Sequence, residues 1–176
     1  MSNEQLWAPW RLEYIVGDKT AAQPCDASHL LEGADPGCFL CHAAAGDHRP
    51  RLVVQRGLHT VALLNRYPYN NGHLLVAPLR HVARLDELSS AVQTELLQTI
   101  TRMVGVLERA IHPQGFNVGL NLGHAAGAGV PGHLHWHIVP RWIGDTNFMP
   151  TIAGVHTIPQ SLEALWELLA AELGKQ

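Results

Sequence analysis

The segment at residues 133–139, "HLHWHIV", places three histidines at alternate positions. Its histidines alternate with Leu134, Trp136 and Ile138. Because successive side chains of a β-strand point to opposite faces, the alternation predicts a strand with one histidine face and one apolar face. The chain must therefore build a sheet whose apolar face packs onto a core.

Three histidines on one strand face allow three interpretations. His133, His135 and His137 can form a solvated face, or a metal site completed by a water molecule. They can also form a nucleophilic centre. A neutral imidazole then attacks phosphorus or carbonyl carbon, and it leaves again because it can be protonated near neutral pH.

A glycine-rich stretch, "NLGHAAGAGVPG" at residues 121–132, precedes the histidines. Gly127, Gly129 and Gly132 satisfy the pattern GxGxxG, but a dinucleotide fingerprint follows a strand and opens a helix. This stretch contains Pro131 and joins two predicted strands, so we reject that reading. Backbone N–H groups of such a loop can bind an anionic oxygen, which favours the nucleophilic interpretation, although a permissive hairpin turn also explains the glycines.

Hydrophobic periodicity predicts five strands and two helices. Apolar runs bounded by turn residues predict strands at residues 51–55, 59–65, 73–79, 116–122 and 133–139. Helical spacing predicts a helix at about residues 90–111, with Ser90 and Gln93 as a capping box, and a second at about 162–173 behind Ser161. Consecutive hairpins combined with these helices indicate an α+β fold with an antiparallel sheet.

Composition and charge narrow the class of protein. The 176 residues predict one domain over 1–176, with an irregular arm at 1–37, a core at 38–142 and an extension at 143–176. A formal net charge of −3 argues against binding nucleic acid by bulk electrostatics. We see neither a signal-like apolar region nor a membrane-length apolar stretch, so we expect a cytoplasmic protein without a membrane partner.

The cysteines form a second candidate site. Cys38 and Cys41 form a CxxC pair, and Cys25 stands apart as an ordinary thiol. Such a pair is spaced as two zinc ligands can be, but a redox pair or two buried thiols would look identical. Sequence spacing leaves these alternatives open.

Several stretches together resemble one family. "HLHWHIV" has the HxHxH-plus-apolar pattern of the histidine-triad (HIT) superfamily of nucleotide hydrolases and transferases. "ALLNRYPYNNGHLLVAPLRH" at residues 62–81 is similar to the strand-turn-strand of that family, and residues 121–142 are similar to its glycine loop and triad strand. The flanking segments "WAPWRLEYI" and "GDTNFMP" resemble a bacterial branch that includes diadenosine tetraphosphate phosphorylase-like proteins.

The resemblance implies a fold and a set of site residues. The fold is α+β and HIT-like, with a mainly antiparallel sheet of about five strands, one long helix packed on it and a C-terminal helix, usually in a homodimer. His135 is implied as the nucleophile that attacks the α-phosphorus, and His137 as the residue that binds phosphoryl oxygens. The implied nucleotide contacts are Asn65 at the ribose, and Asn121, Gly127, Ala128 and Gly129 around the phosphate.

The resemblance also implies a structural zinc ion. In zinc-containing members, the CxxC pair is completed by an upstream histidine and by the first triad histidine. Those positions are His81 and His133 here, which with Cys38 and Cys41 would close a four-ligand shell. The alternative is that no metal binds and that His133 supports its neighbours by hydrogen bonds. We expect no organic cofactor.

The implied function is cleavage of a dinucleoside polyphosphate through a nucleotidyl-His135 intermediate. The first alternative is a hydrolase of dinucleoside polyphosphates or nucleoside phosphoramidates, and the second is a non-catalytic, zinc-stabilised nucleotide-binding module. Fragile-histidine-triad-type hydrolases carry glutamine four residues before the first triad histidine, where this chain has Gly129, which favours phosphorolysis. We expect a small nucleotide as substrate and a homodimer or higher homo-oligomer.

Overall fold

The computed structural model describes residues 29–46, 49–145 and 158–175. Its sheet has five strands in the order β1-β2-β3-β5-β4, and every neighbouring pair is antiparallel. The strands are β1 (Val53–Arg56), β2 (Thr60–Leu64), β3 (Leu74–Pro78), β4 (Gly115–Leu120) and β5 (Trp136–Arg141). This arrangement confirms the predicted α+β class and places β5, the histidine strand, between β3 and β4.

Helices accompany the sheet on both sides. They are α1 (Phe39–Ala45), α2 (Ser90–Ile111) and α3 (Leu162–Leu173), with short 3₁₀ helices at Leu85–Glu87 and His124–Ala126. The helix α1 has only seven residues, too few for its apolar residues to show a helical period, and the sequence did not predict it. Among the described residues, no helix is both long enough and apolar enough to span a membrane.

The two longer helices begin behind serine caps. Ser161 accepts a hydrogen bond from the Ala164 N–H, as predicted for α3. The predicted capping box of α2 is wrong by one residue, because Ser89 and not Ser90 is the N-cap and accepts from the Val92 N–H. Gln93 instead donates its side-chain amide to backbone carbonyls in the turn before the helix.

Alternate residues of the strands pack into two separate cores, one on each face of the sheet. On one face of the sheet, Leu64, Leu74 and Ile138 pack with α2 and α3 in the larger core. On the other face, Leu63 and Leu75 pack with α1 in the smaller core. Because His137 lies opposite Leu75 in the β3–β5 register, the histidine side chains face the α1 side.

The two edges of the sheet differ. The β1 edge carries a bulge between Val53 and Gln55, and Trp166 of α3 donates its Nε1–H to the Val53 carbonyl at 2.8 Å. The β4 edge, at the opposite end, has exposed residues at its centre, with Val118 48% exposed, and within the described ranges β4 pairs only with β5. One edge is therefore blunted, while the other presents backbone groups that pair with no further strand among the described residues.

Candidate active site and metal cluster

The histidine motif enters the sheet later than the sequence predicted. The strand β5 begins at Trp136, and the His133 N–H turns back to the Val130 carbonyl at 3.3 Å. The predicted alternation nevertheless holds, because Leu134 and Ile138 lie in the larger core. His133 is 1% exposed and His135 is 6% exposed, so the interpretation as a solvated face is wrong.

His135 is held in one tautomer by the backbone. Its Nδ1 lies 2.8 Å from the carbonyl oxygen of His133. A carbonyl oxygen only accepts hydrogen bonds, so Nδ1 carries the hydrogen. The Nε2 lone pair takes no part in this bond. The rings of His135 and His137 meet edge to face with centroids 5.1 Å apart. The Nε2 side of His135, which takes no part in the bond to the carbonyl, therefore lies on a ring next to a second imidazole.

A relay of hydrogen bonds fixes the tautomer of that second imidazole. The Tyr69 N–H donates to His73 Nδ1 at 3.0 Å, which makes Nε2 the protonated nitrogen of a neutral His73. His73 Nε2 lies 2.9 Å from His137 Nδ1 and donates to it. The remaining nitrogen, His137 Nε2, therefore carries a hydrogen, is buried, and has no partner among the described residues. It is a donor available to an anionic oxygen.

The surroundings keep this relay neutral. Burial, assisted by the neighbouring His137 and His135, lowers the pKa of His73 to about 3. Burial and the nearby His135 lower the pKa of His137 to about 4. Both imidazoles are therefore neutral near pH 7, as the relay requires. His73 was missed by the sequence analysis, although its position directly before the buried strand β3 was a usable signal.

The predicted ribose ligand, Asn65, helps to build the turn between β2 and β3. Its Oδ1 accepts the Tyr67 N–H at 3.0 Å, and its Nδ2 lies 3.3 Å from His73 Nδ1. The side chain thus stands beside the histidine relay and is already hydrogen-bonded there. Its contact with a ribose stays a prediction.

The glycine loop joins the neighbouring antiparallel strands β4 and β5, as expected for a hairpin connection and not for a dinucleotide fingerprint. The Gly127 N–H donates to the His124 carbonyl at 2.9 Å, and the Ala128 N–H donates to the Gly123 carbonyl at 3.3 Å. Gly127 has a φ of 86°, which favours glycine. These two amides act inside the loop, so phosphate contacts at Gly127, Ala128 and Gly129 stay a prediction.

Residues around the glycine loop and after β5 differ in their surroundings. Asn121 directly follows β4 and is half-buried, and its phosphate contact also stays a prediction. His124 is exposed in the loop. Asp145 accepts hydrogen bonds from Asn70 and Arg141 and therefore anchors the chain after β5. Cys25, Asn147 and the segment at residues 7–15 lie outside the described residues.

Two cysteines and two histidines converge next to the histidine motif. Cys38 is the N-cap of α1 and Cys41 lies in its first turn, while His81 follows β3. Cys38 Sγ is 3.4 Å from His133 Nδ1, and Cys41 Sγ is 3.2 Å from His81 Nδ1. The four ligand atoms all lie within 4.8 Å of one another, so the cluster could hold a metal ion.

The donor groups of this cluster are arranged as a metal requires. His133 Nε2 donates to the Pro78 carbonyl at 2.9 Å, which leaves the Nδ1 lone pair directed at the thiols. The Asp35 N–H donates to Cys41 Sγ at 3.4 Å. Burial raises the pKa of the Cys38 thiol to about 12, and backbone N–H groups offset part of that effect. A thiolate at Cys38 therefore needs a cation, and two thiolates with two imidazoles suit a closed tetrahedral shell.

These elements form an α+β protein whose histidine strand, β5, lies between β3 and the edge strand β4. The family model described as "HIT domain" matches residues 47–142, more than half of the chain. The chain belongs to the HIT family.

Two relatives have names that state an activity. A protein of Mycobacterium tuberculosis named "AP-4-A phosphorylase" is 39% identical over 173 residues, which cover 98% of this chain and 86% of that protein. A Schizosaccharomyces pombe protein named "Bis(5'-nucleosyl)-tetraphosphatase [asymmetrical]" is 37% identical over 93 residues, which cover 53% of this chain and 50% of that protein.

A solved structure shares the fold. It is described as a Zn-bound histidine triad family protein from Mycobacterium smegmatis, and it matches with a TM-score of 0.58 and 25% sequence identity. The match covers 70% of this chain and 84% of that protein.

Proposed function

We propose that this chain is a nucleotidyl-transferring enzyme that cleaves a dinucleoside polyphosphate with inorganic phosphate as the acceptor. Diadenosine tetraphosphate is the proposed substrate. The observation that carries the proposal is the buried His135, whose Nδ1 hydrogen is held by the His133 carbonyl so that Nε2 is the nitrogen left to act as nucleophile.

In the first step, His135 Nε2 attacks the α-phosphorus and forms a phosphorus–nitrogen bond. The bond from that phosphorus to the bridging oxygen breaks, and ATP leaves with the electron pair. A neutral attacker suits this centre because the phosphoryl oxygens repel an anion, and the Nε2–H of His137 is available to one of those oxygens. The adduct keeps its Nδ1 hydrogen, so its ring is cationic and the His133 carbonyl stabilises it.

In the second step, an oxygen of inorganic phosphate attacks the same phosphorus. The phosphorus–nitrogen bond breaks, its electron pair returns to Nε2, and ADP leaves. The sum is diadenosine tetraphosphate plus phosphate giving ATP plus ADP. The cationic adduct makes His135 a good leaving group in this step.

The preference for phosphate over water is supported by two observations. The M. tuberculosis relative named "AP-4-A phosphorylase" aligns over nearly the whole chain. Gly129 stands where fragile-histidine-triad-type hydrolases carry glutamine, and glycine has no side chain with which to orient a water molecule. The S. pombe relative favours the alternative, a hydrolase that uses the same histidines. A binding module that senses nucleotides without turnover is the third candidate.

The cluster of Cys38, Cys41, His81 and His133 is proposed to hold a structural zinc ion. The donor set, the orientation of His133 Nδ1 and the zinc-bound M. smegmatis structure support this identity. Four protein ligands leave no position for water, so the ion would join α1 to the histidine motif and would not take part in the reaction.

The remaining proposals concern the assembly and setting of the chain. The strand β4 lies at an edge of the sheet with Val118 exposed, so its backbone can pair with the same strand of a second copy. We therefore infer a homodimer. A net charge of −3 supports a small nucleotide and not a nucleic acid as the partner. We further infer a single domain over residues 1–176 and a cytoplasmic protein without a membrane partner or organic cofactor.

The test is incubation of the purified protein with diadenosine tetraphosphate, with and without phosphate, and chromatography of the products. Equal amounts of ADP and ATP that appear only with phosphate would support the phosphorylase. AMP and ATP without phosphate would support the hydrolase, and saturable binding without product would support the binding module. His135→Asn serves as the inactive variant and His124→Gln, at an exposed loop position, as the matched control.

A further inference from the structure

The turn that carries Tyr69 is fixed at both ends. The Asn65 N–H donates to the His73 carbonyl at 2.9 Å where the strands close the turn. Asn70 donates its side-chain amide to the Pro140 carbonyl at 3.1 Å and to Asp145 at 2.9 Å, which joins the turn to the end of β5. Tyr69 lies between these attachments, so its backbone and ring are placed by the fold.

Gly72 draws the same turn against the long helix. It has a φ of 77°, and a Cβ there would lie 2.6 Å from Ile111 Cδ1 at the end of α2. A larger residue at this position would be strained by the positive φ and would require the side chain of Ile111 to shift. Glycine therefore favours the close packing of this turn against α2.

The ring of Tyr69 covers both imidazoles of the relay. Its centroid lies 4.8 Å from that of His73 with an interplanar angle of 28°. It lies 5.8 Å from that of His137 with an angle of 27°. Both contacts are stacked, whereas His73 and His137 are tilted by 43° to each other. One aromatic plane thus packs against both rings, and it restrains the His137 ring, which the hydrogen bond from His73 alone would leave free to rotate about that bond.

We propose that Tyr69 is a positioning residue for His137. Its backbone N–H sets the tautomer of His73, and its ring limits rotation of both imidazoles, so the Nε2–H of His137 stays aimed at the position of the phosphoryl oxygen. Tyr69 itself touches neither substrate nor the reacting atoms in this role. This inference deepens the proposed function and rests on it for its kinetic consequence.

The test compares Tyr69→Phe, which keeps the ring, with Tyr69→Leu, which keeps only the backbone N–H. The first readout is the pair of ¹⁵N chemical shifts of His137, assigned by difference with His137→Gln. The wild type and Tyr69→Phe should show a fixed Nε2–H tautomer. Tyr69→Leu should show a mixture, because a His137 ring that can rotate loses the hydrogen bond from His73 that fixes its tautomer. The second readout is turnover of diadenosine tetraphosphate, for which Tyr69→Leu should lose about 10- to 100-fold in kcat with little change in KM.

Unchanged His137 shifts and unchanged kcat in Tyr69→Leu would overturn the inference. An equal loss in Tyr69→Phe would overturn it as well, because it would assign the effect to the hydroxyl group. Tyr69→Met provides the same comparison if Tyr69→Leu does not fold. The nitrogen shifts need no substrate, so they decide the role of Tyr69 even if the wild-type protein turns over no dinucleotide and the proposed function fails.

Discussion

The Nδ1–H of His135 donates to the backbone carbonyl of His133 across 2.8 Å. The imidazole of the same His133 belongs to the Cys38, Cys41 and His81 cluster. One residue therefore serves two sites, with its ring in the cluster that could hold a metal ion and its carbonyl on the proposed nucleophile. Displacement of the ring is expected to move the carbonyl and release the tautomer of His135.

Loss of the metal should therefore weaken both the fold and the nucleophile. We expect about one zinc ion per chain in the wild type and none in Cys41→Ser, because removal of one thiolate opens the shell. Unfolding free energy should fall by about 3 kcal/mol, since the ion joins α1 to the histidine motif. Mass spectrometric metal analysis and thermal unfolding measure both effects. Two results together would contradict the zinc proposal: a wild-type protein that contains no metal, and a stability that does not change when a chelator is added.

Removal of the His137 donor should slow the chemical step. His137→Asn takes away the buried Nε2–H, and loss of one preorganised donor to a developing charge costs about 10²- to 10³-fold in rate. KM should change little, because the donor contributes most when charge develops on the phosphoryl oxygens. Single-turnover kinetics measure the effect, with His124→Gln as the control. An unchanged single-turnover rate would remove His137 from the mechanism.

Stability should fall as the pH is lowered below about 6.5. Burial lowers the pKa of His73 to about 3 and that of His137 to about 4, whereas these side chains titrate near 6.5 when unfolded. Between those values the unfolded chain binds protons that the native chain does not, so the unfolding free energy decreases with decreasing pH and levels off below about 3. Denaturant unfolding across this range measures the slope.

His73→Gln isolates the contribution of one histidine to that slope. It removes one titrating group and should make the dependence on pH shallower, while His124→Gln, at an exposed position, should leave it unchanged. Equal slopes for His73→Gln and the wild type would show that the neutral relay does not couple to folding.

A charge at the open sheet edge should break the proposed dimer. Val118→Lys places an ammonium group on β4, and charged residues on an edge strand oppose pairing with another copy. Leu97→Lys is the matched control, because Leu97 is 65% exposed on α2, away from that edge. Sedimentation should show a dimer for the wild type and Leu97→Lys, and a monomer for Val118→Lys. A dimeric Val118→Lys protein would place the interface elsewhere.

Local patterns in the sequence were sufficient to predict the helices and strands whose apolar residues all pack on one face. The apolar period predicted α2 over residues 90–111, the bounds that the structure has. Alternation correctly separated Leu134 and Ile138 from the histidines, because side-chain direction in an extended chain depends only on parity. The start of β5 was wrong because the turn bond from His133 to Val130 depends on the loop and not on periodicity.

Contacts between distant strands could not be predicted from the sequence in the same way. His73 lies 64 residues from His137, and only the pairing of β3 with β5 brings them together. The meeting of Cys38 with His133 likewise depends on where the short helix α1 packs, and their grouping was inferred from family resemblance. Polar side chains carry no period, so their convergence follows from strand order and register.

The proposed reaction depends on a covalent nucleotidyl-His135 intermediate, and that intermediate can be trapped. The protein is mixed with diadenosine tetraphosphate without phosphate, quenched after a short interval, and analysed by intact mass and peptide mapping. We expect an AMP adduct on His135 that is absent from His135→Asn. When phosphate is added, the AMP group should be transferred to it and released as ADP. Full turnover without an adduct, retained by His135→Asn, would contradict the proposed reaction.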